Sequence, residues 1–358
     1  MNNEEHKKEI ASENSGDKNF REKHVGDEEH VGDEDHVGDE EYVGDEDHVG
    51  DEEYVGEEIY SVNFDNNLIV YGGNLHNCTL FNIENGCPEG LIEGFSDSVV
   101  FCKQVENNLI LVCTIDGTIS LLTKEEIVTS EKIEEDITFV DVLPEKILIG
   151  GSSGTVYIFT PDLSSHNVYL GHFSDIHKIY YANNTVYALS DDQFIAFDEY
   201  SYQQKYRKNL KCATVFEPIP GTDIFCVGKE GEIIILKNGF LLNKFVVDGT
   251  PECIVFAEDQ FIVGGSFPYL VLINTKMNMR EYRLRLDIEG TTKIQRIGPH
   301  KIAISTMCGL VGMGDIRKDD SFVFTSSNVE SVFDFQFVED KFFVGGALGF
   351  DVVGLSQN

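Results

Sequence analysis

The chain has 358 residues, 63 of them acidic against 27 basic, a net charge of −36 and 41% hydrophobic residues. That length admits two domains or one large repeat, and that charge excludes a surface built to grip nucleic-acid phosphates, which takes clustered Lys and Arg. Residues 1–58 hold 23 acids and 5 bases, half of the net charge, so the remainder is acidic in its own right and suits a basic partner or plain solubility.

Residues 1–23 are polar and mixed in charge. From His24 a six-residue unit repeats as HVGDEE, HVGDED, HVGDEE, YVGDED, HVGDEE and YVGEEI. One valine per unit cannot bury a core and the acids repel one another, so residues 1–50 are expected to form a disordered acidic tail. Histidines beside acids at flexible spacing fix no coordination geometry and are taken as solvated, without a metal. The opening residues lack the apolar stretch of a secretory signal, and no run approaches membrane-spanning length. None of the eight cysteines forms a CxxC pair and most sit in apolar runs, the pattern of buried reduced thiols.

After Glu58 the composition turns to apolar runs separated by short polar breaks, and residues 51–358 are assigned to one domain. The clearest stretch is 146–160, KILIGGSSGTVYIFT, two β-rich runs joined by a glycine-bearing turn, a hairpin covered on both faces. Aligning on its glycine pair gives eight equivalent positions, Gly72, Cys113, Gly150, Leu189, Val227, Gly264, Ser305 and Gly345, spaced by 37 to 41 residues. A period near 40 with three or four short strands per unit predicts an all-β, WD-repeat-type β-propeller of eight blades, or seven if one weak unit is a partial blade. First strands are predicted over 61–64, 99–105, 137–143, 178–182, 213–217, 254–257, 293–297 and 332–338. The eighth unit ends after its third strand, so residues 51–57, around Tyr54-Val55, are expected to supply a closing fourth strand.

No phosphate loop, GxSxG, HExxH or EF-hand pattern is present, so no enzyme, cofactor or metal is expected. Gly171-His172 stands where a blade-orienting histidine belongs, a structural role. Phe197-Asp198 takes the place of Trp-Asp, with Ile273-Asn274 a weaker echo, in a chain that contains no tryptophan.

In this architecture the loops from a fourth strand to the next first strand (d–a) and from second to third strand (b–c) share one face. The d–a loops carry Asp97, Glu134, Glu135, Asp136, Asp175, Asp248, Glu252, Asp287, Glu289 and Glu330, and the b–c turns add Asp116, Asp191, Asp192 and Glu230. Lys229 is the clearest base among them. The opposite face mixes signs, and the basic clusters 205–208 and 280–285 fall on fourth strands. The fourteen acids are the candidate partner-binding residues, a negative rim suited to a basic peptide.

Several stretches resemble the WD-repeat ribosome-assembly chaperones related to angio-associated migratory cell protein: VYGG at 70–73, SDSV at 96–99, IDGTI at 115–119, DITFVDVLPEKILIGGSSGTVYIF at 136–159, GTTKI at 290–294 and VFDFQF at 332–337. The likeness spans residues 58–358 and includes the acidic tail; the missing tryptophans and short loops depart from it. It implies a non-enzymatic, monomeric chaperone that captures a newly made basic large-subunit ribosomal protein by its N-terminal segment, on the acidic face, with no direct contact to nucleic acid or membrane. It also implies action in the cytoplasm, with the nucleus as the alternative. Two other readings stand beside it: a scaffold of another protein complex, and a histone-binding propeller.

Overall fold

The computed structural model describes residues 56–105, 108–286, 288–318 and 320–355. Every element among them is a strand, thirty-one in all, arranged in eight antiparallel sheets whose strands follow chain order. Seven sheets have four strands and the last, β29 (Val332–Val338), β30 (Lys341–Gly346) and β31 (Gly349–Gly354), has three. Each sheet is a blade, and the blades are numbered here in chain order.

The reason for the strands is in the side chains. The second strand of blade two, β6 (Ile110–Thr114), is buried along its whole length, whereas the fourth, β8 (Ile127–Lys132), is exposed at nearly every position. Inner strands are therefore apolar on both faces and the outermost strand is polar, as in a sheet sandwiched between two others. The core is correspondingly split into eight clusters, each drawing on two neighbouring blades. One of them joins Ile59, Val62 and Phe81 of blade one to Phe343 of blade eight, and so closes the ring.

The glycine-pair position shows how blades are spaced. A Cβ on Gly150 would lie 2.6 Å from Ile176, and one on Gly345 would lie 2.6 Å from Ile59, in each case the residue that opens the next blade's first strand. The absent side chain is the socket for that residue. In blade five the strand register gives this position to Gly228, not to the aligned Val227; the other seven alignments hold.

First strands line the ring's centre, and polar side chains stitch them together. Lys178 of β13 (Ile176–Ala182) pairs with Glu217 of β17 (Ala213–Pro218) at 2.8 Å. Gln295 of β25 (Lys293–Arg296) accepts the Phe337 amide at 2.7 Å, and Lys293 pairs with Asp334. At the closure, Val62 of β1 (Ile59–Asp65) donates its amide to Asp334 at 2.8 Å, while Gln336 donates to the Val62 carbonyl at 3.1 Å.

The expected closing strand around Tyr54-Val55 lies outside the described residues. Of the segment assigned to it, Gly56 and Glu57 belong to no strand, and Glu58 forms an isolated bridge with Ala347. Asn74 clasps this entry, accepting the Glu58 amide at 2.9 Å and donating to the Gly56 carbonyl at 2.9 Å. The expected tail over 1–50 lies outside the described residues as well.

Candidate acidic face

Backbone hydrogen bonds establish that the d–a and b–c loops share a face. Ser152 donates to Asp136, Glu230 to Cys212, Ser266 to Thr250 and Asn74 to Glu58, each a b–c turn bonded to the loop that precedes its own blade. First strands begin on this face, and in seven of the eight a bulge sits at the second residue of the strand. The bulged residue turns out of the ladder. Thr138, the bulge of β9 (Ile137–Leu143), donates to its own blade at Gly150 (3.1 Å) and reaches the next at Ile176 (2.9 Å).

Thirteen of the fourteen candidate acids are on this face, and Asp287 lies outside the described residues. Apart from Glu252, they fall into two groups. Glu134, Asp136, Asp175, Glu230, Glu289 and Glu330 are exposed, and among the described residues their carboxylates make no hydrogen bond or ion pair. The others are engaged. Asp116 accepts from Ser96 and Lys132, each at 2.9 Å, and from Thr114 and the Thr118 amide; burial alone would raise its pKa, but these donors hold it far below the usual carboxylate range. Glu135 accepts from the Ser153 amide (2.7 Å), the Ser153 hydroxyl (2.6 Å) and the Tyr157 hydroxyl (2.7 Å), which together outweigh burial and lower its pKa. Asp191 meets His177 Nε2 at 2.7 Å, Asp192 accepts from Ser174 at 3.3 Å, Asp97 accepts the Ser98 amide at 2.7 Å, and Asp248 accepts from Tyr269 at 3.5 Å.

Glu252 departs from its expected place. It is not a loop residue but the bulge of β21 (Pro251–Ala257), half-buried, with its pKa raised by that burial. The reason is that β21 begins at Pro251, three residues earlier than the predicted 254, because an apolar-run criterion does not count a proline and a glutamate as strand.

His172 is structural, as its position suggests. It is buried, its Nδ1 lies 2.9 Å from the Ser190 hydroxyl, and Arg207 donates to the Gly171 carbonyl beside it at 2.9 Å. Burial first, and then the Arg207 charge, push its pKa down to about 4. Phe197 is fully buried and Asp198 caps the following turn, accepting the Ser201 amide at 3.0 Å; Asn274 does the same for Lys276 at 3.0 Å.

Two residues of this face escaped the sequence reading. Lys211 is an exposed base in the loop before blade five, just beyond the basic cluster 205–208. Phe173 is 76% exposed on the loop after Gly171, with the Arg207 guanidinium 6.0 Å from its ring. Bases of the opposite face divide: Lys146 pairs with Glu199, Lys276 with Asp259, Arg296 with Glu258 and Arg317 with Asp315, whereas Lys237, Lys301, Lys318 and Lys341 pair with no acid among the described residues. Lys229 also pairs, with Glu232 at 3.0 Å.

Among solved structures, Sqt1 of Saccharomyces cerevisiae superposes with a TM-score of 0.73 at 16% identity, covering 85% of this chain and 97% of that one. Sqt1 of Chaetomium thermophilum bound to the N-terminus of the ribosomal protein L10 gives 0.72 at 14%, covering 83% and 97%. A computationally designed protein, Ika8, gives 0.73 at 16%, covering 84% and 98%, so similarity at this level speaks to the fold alone. No curated protein matches the sequence significantly. The WD40-like domain model matches residues 57–353, and the chain therefore belongs to the WD40-like domain family.

Proposed function

We propose that this propeller is a non-enzymatic chaperone, acting in the cytoplasm, that captures and shields the basic N-terminal segment of a large-subunit ribosomal protein. The observation that carries the reading is the free carboxylate on one face. Six exposed carboxylates there make no hydrogen bond or ion pair among the described residues, and the bases Lys132 and Lys229 of the same loops are already paired with acids. Unpaired like charges around a ring sum to a field that draws in a cationic segment. An unassembled ribosomal protein carries dense positive charge, and masking it keeps the protein from stray RNA. The Chaetomium thermophilum relative, similar in fold, holds the N-terminus of L10.

The test is a titration of the full chain with a synthetic N-terminal peptide of the host's L10-type protein at low and high salt. Binding should weaken steeply with salt. Combined reversal at Glu134→Lys, Asp136→Lys and Glu230→Lys should cost about tenfold or more in affinity, with the melting temperature nearly unchanged. Salt-independent binding, or an unaltered triple variant, would overturn the reading and leave the scaffold role in its place.

A further inference from the structure

The acids run around the whole face, but the exposed apolar residues of its b–c turns do not; Phe173, on the loop before blade four, stands apart from them. In four consecutive blades, the seventh, eighth, first and second, the b–c turn carries an exposed apolar side chain: Met307, Leu348, Leu75 and Ile115. The corresponding turns of blades three to six carry Ser153, Asp191 with Asp192, Glu230 and Ser266. The bulged residues of the first strands change at the same place. They are Phe333, Tyr60 and Val100 in blades eight, one and two, and Thr138, His177, Thr214 and Glu252 in blades three to six. Two unrelated positions of the repeat therefore switch from apolar to polar together, which divides the face into an apolar arc and a polar, acidic one.

The arc is built, not scattered. The rings of Tyr60 and Phe333 lie 5.8 Å apart across the seam between blades one and eight. Leu348, in the b–c turn of blade eight, is 63% exposed and has a φ of 73°, a left-handed backbone that favours Gly or Asn. A leucine at such a site does not relieve its turn, and most of its side chain is open to solvent, with its Cδ2 against Gly56.

We propose that this arc receives the apolar side chains of the same segment whose Lys and Arg lie over blades three to six. The client segment is then amphipathic along its length, with aromatic or branched aliphatic residues at one end of its basic stretch. This rests on the chaperone reading above. The occupant follows from continuity: the arc adjoins the unpaired carboxylates and itself carries Glu330 among them, so an apolar partner without positive charge would bury that field unpaid.

The experiment compares two synthetic peptides of equal length and charge on the full chain: the N-terminal segment of the host's L10-type protein, and the same segment with its aromatic and aliphatic residues changed to serine. The serine peptide should bind about tenfold or more weakly. The double variant Leu75→Ser/Leu348→Asn should lose a similar factor for the natural peptide at both low and high salt, should no longer distinguish the two peptides, and should melt as the parent does. Equal binding of both peptides to the parent overturns this inference and leaves the chaperone reading intact. Binding of neither peptide removes that reading, and this inference with it. Sedimentation velocity supplies the remaining arm: a concentration-dependent dimer that the double variant abolishes, and that the peptide does not displace, would assign the arc to a second copy and overturn the proposal.

Discussion

Changing Glu135 to alanine tests whether the acidic loop of blade three is a brace or a bait. The carboxylate takes three hydrogen bonds, from the Ser153 amide and hydroxyl and from the Tyr157 hydroxyl, at 2.6–2.7 Å. Bonds to a charged group contribute about 1.5–3 kcal/mol each when fully desolvated. Here the site is half open and water replaces part of each bond, so the expected loss is about 2–3 kcal/mol in total. For a domain of about 300 residues that corresponds to a melting temperature lower by about 3–5 °C. Glu134, one residue away, is exposed and unbonded, and Glu134→Ala should stay within about 0.5 kcal/mol of the parent. Calorimetric scans of the two variants at neutral pH measure the difference. The sign with pH is fixed by the direction of the shift. Glu135 has a folded pKa below its ordinary 4.5, so its contribution is present above that value and fades as pH falls through the folded pKa. The gap between parent and Glu135→Ala should narrow in acid. Coincident melting of Glu134→Ala and Glu135→Ala at neutral pH would refute the assignment of Glu135 to the brace. It follows that a charge-reversal test of client binding is cleaner with Glu135 left alone than with the whole 134–136 triplet reversed.

Three further outcomes are expected. Gly345→Ala places a methyl 2.6 Å from Ile59 and 2.7 Å from Val62, an overpacking worth about 1–3 kcal/mol of stability, whereas Gly354→Ala, facing open space, should be silent in the same thermal melts. His172 stays neutral in the fold down to about pH 4 while the unfolded chain protonates it near 6.5; about 3 kcal/mol of stability is therefore lost between those values, and His172→Gln should flatten the parent's pH–stability slope across that window. Removing residues 1–57 takes away the Gly56 carbonyl that Asn74 binds and should lower the melting temperature, whereas removing 1–45 should not; equal melting would remove the entry segment from the closure.

The sequence carried the fold through one periodic signal. Runs such as 147–149 and 156–159 are apolar on both faces because each blade is covered twice, and their 40-residue recurrence is visible without a single tryptophan. What misled the alignment in blade five was a glycine without a glycine neighbour: Gly228 is followed by Lys229, and the apolar residue before it looked like the end of the run. The outer strands were harder to see, because a strand such as β8, exposed on nearly every side chain, has no apolar alternation to display. The bulges were not legible at all. They are a property of the backbone, and the residues that occupy them range from Thr138 to Phe333 with no shared chemistry. At the acidic face, loop position was readable but engagement was not. Glu134 and Glu135 are neighbours of identical composition, and only the reach of Ser153 and Tyr157 separates a free carboxylate from a structural one.

The seam between the first and last blades has a consequence for how the chain acquires its form. The partners of Val62 are Asp334 and Gln336, more than 270 residues downstream. A ribosome releases the first blade long before the last, and until the eighth arrives the inner edge of the first keeps an unmet amide, an unmet carbonyl and the apolar flank of Ile59. Local hairpins assemble early in such a chain, but the step that locks them spans nearly the whole domain and comes last. A protein proposed to shelter newly made chains is thus itself exposed, at one edge, for most of its own synthesis.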